Sequence, residues 1–200
     1  LCYDLGCAVI DKQGNVYDTL DLVIYDIYAL EKELMKSAYY AKKLPQYEEE
    51  LEDGIRTMVS IFTAKKLLKE LCDKYQVKAI MAHNARYDYF GLNTTMRYIT
   101  KSQQRYFFPY GVEIWDTQKM AHDTICKKKK YIKFCEENGY MTKHKNPRPQ
   151  EKAEIIYRYI SGNNEFVERH TGLSDKKKKK EIFVRCLRQH KKMRKCLFEK

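Results

Sequence analysis

Two short apolar segments near the start of the chain have the length and composition of strands. Residues 5–10 are apolar with small and branched side chains, and residues 16–24 return to a strand-like pattern after a glycine-containing turn at residues 11–14. Paired runs of this kind on either side of a turn are typical of a β-hairpin. We therefore predict an antiparallel hairpin at the edge of a sheet.

Helix-like and strand-like segments alternate through the middle of the chain. Residues 29–54 combine a helical spacing of apolar residues with an acidic connection, which predicts a helical insertion. Thr63 is the expected N-cap of a helix that ends near Tyr75. Short apolar runs at residues 77–82 and 112–115 predict two further strands. This alternation predicts an α/β fold in which helices cover a sheet.

The C-terminal part of the chain is predicted to be mainly helical. Gly139 and Gly162 each follow an apolar periodic segment, a position where glycine commonly ends a helix. Four helices are predicted after the strand at residues 77–82, and they cover residues 87–99, 131–138, 152–161 and 181–192. A length of 200 residues with 44% hydrophobic content suffices for one sizeable core, so we predict a single domain over residues 1–200.

The net charge favours a polyanionic partner. A formal charge of +12 attracts nucleic acid, because binding releases the counterions condensed on the phosphate backbone. Part of this charge lies in two lysine runs, residues 127–130 and 176–180, and such runs are more often solvated faces than recognition elements. Charge by itself therefore supports nucleic-acid binding without establishing it.

The cysteines indicate reduced thiols rather than a disulfide framework. Seven are present, and no two of them form a CxxC pair. Cys186, His190 and Cys196 lack a fourth zinc ligand at a suitable spacing, so we predict no structural zinc.

No uncharged apolar run approaches the ~20 residues of a membrane span, and no signal peptide is recognisable. We therefore expect a cytoplasmic protein that does not associate with membranes. The lysine-rich, glycine-poor composition is compatible with a protein encoded by a virus within a bacterial host.

Residues 83–88 are the first candidates for chemistry, because they directly follow the strand predicted at residues 77–82. Ligand-binding groups of α/β sheets gather where strands end. Asp88 is placed to project over the sheet edge, although an isolated Asp at a helix start more commonly only stabilises the helix dipole. For His83 and Asn84, a structural role at the turn is an equal alternative.

His170 and Asp175 form a second candidate pair, five positions apart. On one continuous helix they would point to different faces, because same-face neighbours are three or four residues apart. The two can act together only if a helix begins between them, and Gly172 permits that break. Taken alone, His170 is more often an ordinary surface or partly buried histidine.

Together these segments resemble the DEDDh 3′-to-5′ exonucleases, the DnaQ-like or RNase T-like family of the ribonuclease H-like superfamily. The family's second motif, a strand running into a helix with an Asn and then an Asp, is similar to residues 83–88. Its Asp-Thr after the next strand is similar to Asp116-Thr117, and its third motif, a His with an Asp five positions on, resembles residues 168–175. The resemblance covers nearly the whole chain, in order.

The resemblance implies a ribonuclease H-like mixed central sheet flanked by helices, with residues 4–14 similar to its second strand and hairpin turn. The family's first strand, which carries an Asp-x-Glu motif, is missing from these residues, so we expect Leu1 to fall inside a larger fold. Asp4 is not assigned to that motif, because no Glu follows two residues later. The lysines at residues 176–180 stand where the family has apolar helix residues, so we expect an exposed or altered segment there.

The resemblance also implies roles for the candidate residues. Asp88 and Asp175 would be two of four carboxylates that hold two Mg²⁺ or Mn²⁺ ions, and His170 would act as general base toward the attacking water. The residues expected to shape the site or contact the terminal nucleotide are His83, Asn84 and Tyr87.

The expected activity is release of nucleoside monophosphates from the 3′ end of single-stranded DNA. Short RNA is the alternative substrate, because recognition of the 2′-hydroxyl depends on pocket shape rather than on a readable motif. The competing class is a non-catalytic nucleic-acid-binding module on the same fold, which the missing Asp-x-Glu favours. No replication partner can be read from the residues.

Overall fold

The computed structural model describes residues 1–37, 41, 44–102, 106–166 and 172–199, and of residues 172–177 only the backbone. In this part of the chain the fold is mixed α/β. The strands are β1 (Asp4–Ile10), β2 (Val16–Ile24), β3 (Thr57–Val59), β4 (Ala79–Ala82) and β5 (Glu113–Asp116). The helices are α1 (Tyr25–Tyr28), α2 (Lys32–Lys36), α3 (Leu44–Glu52), α4 (Ile61–Lys74), α5 (Ala85–Thr100), α6 (Thr117–Ala121), α7 (Lys129–Glu137), α8 (Ala153–Ser161) and α9 (Gly172–Leu187). A π-helical turn, His122–Cys126, follows α6 directly.

The predicted hairpin is confirmed. Strands β1 and β2 pair in antiparallel fashion, with Leu5 opposite Leu22. Gly14 in the connecting turn has a φ of +93°, and a Cβ atom added there would lie 2.9 Å from Cγ2 of Val184 on α9. Only glycine therefore fits both the turn conformation and the close approach of the hairpin to this helix.

The strands form two separate sheets among the described residues. Strand β3 pairs in parallel with β2 and completes a sheet of order β1-β2-β3, while β4 and β5 form a parallel pair. Sequence patterning did not predict β3, because three residues are too few to display a period. Strand β1 is an edge strand of the first sheet, and β4 is an edge strand of the second.

Both sheets lie between the same two layers of helices. Leu5 of β1 and Ile80 of β4 pack into one apolar cluster, which side chains of α4 and α5 complete. Ile10 of β1 and Met81 of β4 pack into a second cluster, which includes side chains of α6 to α9. Because successive strand residues face opposite sides, each sheet contributes to both clusters. The architecture is thus helices on both faces of a divided sheet.

Helix α5 connects the two sheets. It packs against β4 and β5, and Thr95 within it accepts a hydrogen bond from the backbone N–H of Cys2, 2.7 Å away, where the chain leads into β1. The far edge of β5 is paired with Cys196. Helix α5 therefore contacts both the second sheet and the chain that leads into β1.

A buried ionic cluster fastens the start of β1 to α3. Arg56 is 2% exposed and donates hydrogen bonds to Glu50 and, over 2.6 Å, to Oδ1 of Asp4. The hydroxyl of Tyr47 donates to the other oxygen of Asp4, also over 2.6 Å, and its ring lies under the guanidinium. The single cation thus compensates two largely buried carboxylates at this junction.

Two helices differ from their predicted bounds. The N-cap of helix α4 is Ser60 rather than the predicted Thr63, so the helix begins at Ile61. The side chain of Ser60 accepts a hydrogen bond from the N–H of Thr63. Helix α9 starts earlier and ends earlier than the predicted residues 181–192, and it includes the lysine run. Lys178 in that run is 2% exposed, with its ammonium 5.6 Å from the ring centre of Phe166, so the expectation of an exposed segment was wrong for this residue.

The C-terminal segment, residues 191–199, adds an irregular strand to the edge of β5. The N–H of Asp116 donates to the carbonyl of Lys195, and the N–H of Leu197 donates to the carbonyl of Ile114, each over 2.8 Å. These bonds cover part of a sheet edge that would otherwise be exposed.

Side chains hold the same segment in place. Arg194 forms two hydrogen bonds to the carboxylate of Asp123, of 2.9 and 3.0 Å. The ammonium of Lys119 donates to the carbonyls of Leu197 and Glu199, over 2.8 and 2.5 Å.

Every helix in the described ranges is too short or too polar to cross a lipid bilayer.

Arg56→Met is expected to lower the free energy of unfolding by about 3–5 kcal/mol, because it leaves two largely buried carboxylates without their cation. Urea unfolding at pH 7 measures the change. Lys36→Met is the control, because Lys36 and its partner Glu33 are 70% and 85% exposed and such pairs contribute little. An Arg56→Met protein as stable as the wild type would contradict a stabilising role for the cluster.

Asp123→Asn is expected to destabilise the protein in a pH-dependent way. Hydrogen bonds from Arg194 hold the pKa of Asp123 well below its usual value of 3.8. A carboxyl group with a lowered folded-state pKa stabilises the fold above its unfolded-state pKa, and it loses that contribution as the pH falls through the folded-state pKa. The variant should lose about 1 kcal/mol at pH 7, and the gap to wild type should shrink below pH 3.8.

Urea unfolding at several pH values measures this gap, with Asp53→Asn as a control at an exposed aspartate. A gap that stays constant down to strongly acidic pH would exclude the ion pair as its cause.

Candidate functional site

Asp116 joins the carboxyl ends of β4 and β5, which meet at the same edge because the strands are parallel. It is 4% exposed, and its Oδ1 accepts hydrogen bonds from the N–H groups of Asn84, over 3.0 Å, and Gln118, over 2.8 Å. The second bond caps α6. One buried carboxylate thus fixes the start of α5 relative to the end of β5.

Asn84 turns the chain sharply from β4 into α5. Its φ of 59° and ψ of 51° lie in the left-handed region, which Asn adopts more readily than most residues. Its carbonyl accepts a hydrogen bond from the N–H of Tyr87, and its side chain is exposed. Tyr87 is itself 80% exposed on the first turn of α5. Both residues are therefore accessible to a ligand at this edge.

Asp88 lies on the first turn of α5 and is half-buried. Burial, followed by the negative charges of Asp4 and Asp88, raises the pKa of the Cys2 thiol to about 12. Asp88 is therefore close enough to the residues that lead into β1 to act on them electrostatically. Cys2 stays a neutral thiol near pH 7.

His83 is braced on both sides of its ring. Its Nε2 lies 2.7 Å from the carbonyl of Glu151, and its Nδ1 lies 3.2 Å from the hydroxyl of Thr117. Because a carbonyl only accepts, Nε2 carries a proton in this contact. Both contacts are consistent with a structural role for His83 at the turn. Of the three residues predicted to contact the terminal nucleotide, Asn84 and Tyr87 are exposed.

A histidine–carboxylate pair lies at the same edge and was not predicted. His122 begins the π-helical turn, and its Nδ1 is 2.5 Å from Oε1 of Glu151. Glu151 contacts His83 through its carbonyl, so this one residue touches both histidines. A carboxylate that contacts a histidine ring fixes its orientation, an arrangement that general acid–base sites use. No sequence signal links the pair, because its members are 29 positions apart.

The predicted third motif is only partly described. His170 lies outside the described residues, and of Asp175 the structure describes the backbone, in the first turn of α9. Residues 167–171 lie outside the described residues and α9 is described from Gly172 onward, so the predicted helix start between His170 and Asp175 stays a prediction. The predicted approach of Asp175 and His170 to Asp88 stays a prediction.

The described side chains do not form a complete metal cage. No three His, Cys, Asp or Glu side chains in this part of the chain are grouped so that they could hold a metal ion. Among the expected ligands, only the carboxylate of Asp88 belongs to the described side chains.

No protein-family model matches this chain. No curated protein and no solved structure matches it either.

Asp116→Ala is expected to lower the free energy of unfolding by about 2 kcal/mol, because two backbone N–H groups lose a charged acceptor. Asp116→Asn keeps one oxygen acceptor and should lose clearly less. Urea unfolding measures stability, and amide hydrogen exchange should accelerate at Asn84 and Gln118. Unchanged exchange rates at both amides in Asp116→Ala would contradict the conclusion that Asp116 fixes the start of α5 relative to the end of β5.

Proposed function

We propose that this protein is a metal-dependent 3′-to-5′ exonuclease of the DEDDh type, which releases nucleoside monophosphates from single-stranded DNA, with short RNA as the alternative. One observation carries the proposal. Asp88 lies half-buried on the first turn of α5, directly after β4 ends, and Asp116 fixes the start of this helix. A carboxylate at the carboxyl end of a parallel strand is suited to bind a cation together with a second carboxylate.

The ribonuclease H-like fold belongs to the same proposal. The two sheets lie between the same helix layers, and the described residues supply no strand between β1 and β4. In the fold that the resemblance implies, a strand that carries Asp-x-Glu would pair with both β1 and β4. Asp4 cannot replace this motif, because its carboxylate is bound by Arg56 and Tyr47.

The proposed roles follow the resemblance. Asp88 and Asp175 contribute two metal ligands, and His170 takes the proton of the attacking water. A bound Mg²⁺ or Mn²⁺ would supply charge neutralisation at the phosphate and lower the pKa of a bound water. Asn84 and Tyr87 contact the terminal nucleotide from the start of α5.

A non-catalytic nucleic-acid-binding module is the second candidate. The observation that favours it is that no Glu stands two residues after Asp4, so these residues contain no Asp-x-Glu at the start of β1. Such a module would bind single strands without shortening them.

Asp88→Asn is expected to reduce hydrolysis by about 100-fold or more, because it removes a charged metal ligand from a site whose chemistry depends on it. The assay follows a 5′-labelled oligonucleotide with Mg²⁺, which should shorten stepwise from its 3′ end and stay intact in EDTA. His170→Gln should be similarly inactive. Asp53→Asn and His144→Gln are controls at exposed positions and should retain activity.

The same assay separates the alternatives. His122→Gln tests whether the unpredicted pair supplies the base, and its inactivation together with an active His170→Gln would move the base to His122. Binding of the oligonucleotide without shortening by wild type would favour the module. Hydrolysis that persists in EDTA would rule out the metal mechanism.

A further inference from the structure

An aromatic cluster lies on the surface beside α5. Its members, which we call the aromatic platform, are Tyr89, Phe90, Tyr106, Phe108, Tyr110 and Phe198. Tyr89 is at its centre: its ring stacks on Phe108 with centroids 5.5 Å apart and planes at 8°. The rings of Phe90 and Phe198 each meet Tyr89 edge-on at 5.4 Å. Three separate segments of the chain thus converge on one ring.

The outer rings of the aromatic platform are exposed, while its base is buried. Phe108 is 4% exposed, whereas Phe90, Phe198 and Tyr110 are 47%, 69% and 87% exposed. Contiguous exposed apolar rings are unfavourable in water and commonly mark an interaction surface. Isolated exposed aromatics occur on most proteins, but here they touch one another through Tyr89 and Tyr106.

Phe198 is held in place although it is exposed. The N–H of the preceding residue, Leu197, bonds to β5, and the ammonium of Lys119 donates to the carbonyls on either side of Phe198. The position of this ring is therefore defined before any ligand arrives. A preorganised ring loses less conformational entropy on binding.

Cations accompany the aromatic platform. The guanidinium of Arg86 lies 5.4 Å from the ring centre of Phe90, and the ammonium of Lys65 donates to the carbonyl of Tyr106. Lys119 lies beside Phe198, as described above. Flat exposed rings with cations beside them match a ligand that combines flat bases with phosphates, and the chain carries a net charge of +12.

We propose that the aromatic platform binds the bases of single-stranded nucleic acid by stacking. The inference deepens the proposed function and rests on it for the placement of the strand: Asp88, Tyr89 and Phe90 all belong to the N-terminal part of α5, so the platform takes nucleotides upstream of the one at the 3′ end. Stacking tolerates any base, because every base presents a π-face. The platform therefore contributes affinity without selecting sequence.

The experiment compares two ligands of equal charge. Fluorescence anisotropy in EDTA measures binding of a labelled oligothymidylate of about ten nucleotides, and of an abasic deoxyribose-phosphate strand of the same length. Wild type should bind the strand with bases about tenfold more tightly. Phe198→Leu and Phe90→Leu should each lose about fivefold or more of that preference, with affinity for the abasic strand nearly unchanged, because leucine is apolar but cannot stack.

Matched variants separate stacking from folding. Phe198→Trp should keep or increase the preference. Tyr17→Leu is the control: its ring is 58% exposed and also meets a tyrosine ring, Tyr75, but it belongs to β2 rather than to the platform. An equal loss in Tyr17→Leu, or no loss in either phenylalanine variant, would overturn the proposal.

The other outcomes are distinguishable from failure of the proposed function. A dimer of wild type in sedimentation that Phe198→Leu dissociates, with no preference for bases, would identify the surface as a contact between copies and overturn the proposal. Loss of base preference in the platform variants of a protein that never hydrolyses DNA would support stacking while the exonuclease proposal fails. If hydrolysis requires Asp88 but wild type binds the strand with bases and the abasic strand equally, the exonuclease proposal is supported and the stacking proposal is overturned.

Discussion

The carboxylate of Asp116 is the contact on which the candidate site depends. It is almost fully buried, and one of its oxygens accepts hydrogen bonds from the chain after β4 and from the first turn of α6. A buried charge is tolerated only when it is well hydrogen-bonded, so the position of the carboxylate and the positions of both turns determine one another. These two hydrogen bonds set the direction in which α5 leaves the sheet, and therefore the location of Asp88.

A second buried charge restricts what the start of β1 can do. Arg56 and Tyr47 both bind the carboxylate of Asp4, which ties the strand to α3 and uses this group in the fold. An acidic residue near the right place in the sequence is therefore not a free metal ligand. The chain just before β1 also contacts α5, because the N–H of Cys2 donates a hydrogen bond to the hydroxyl oxygen of Thr95.

The surface around α5 combines three kinds of group that differ in chemistry. Its first turn carries the carboxylate of Asp88, the rings of Tyr89 and Phe90 follow in the chain, and the cation of Arg86 precedes them. A polyanionic strand approaching a basic protein is first attracted over a distance comparable to the Debye length, about 10 Å. Stacking acts only at contact. Attraction and orientation of a strand thus have separate physical origins on this surface.

Local patterns determined much of the fold, and distant contacts decided the rest. The hairpin and the alternation of helix and strand could be read from the sequence, because hydrophobic periodicity involves residues a few positions apart. The pairing of His122 with Glu151 and of Arg56 with Asp4 could not, since these partners are 29 and 52 positions apart. The burial of Lys178 and the convergence of three segments on Tyr89 likewise depend on how helices and the C-terminal segment pack against the sheet. Tertiary structure decides such contacts because the energy of a side chain depends on its neighbours in space, which its neighbours in sequence do not specify.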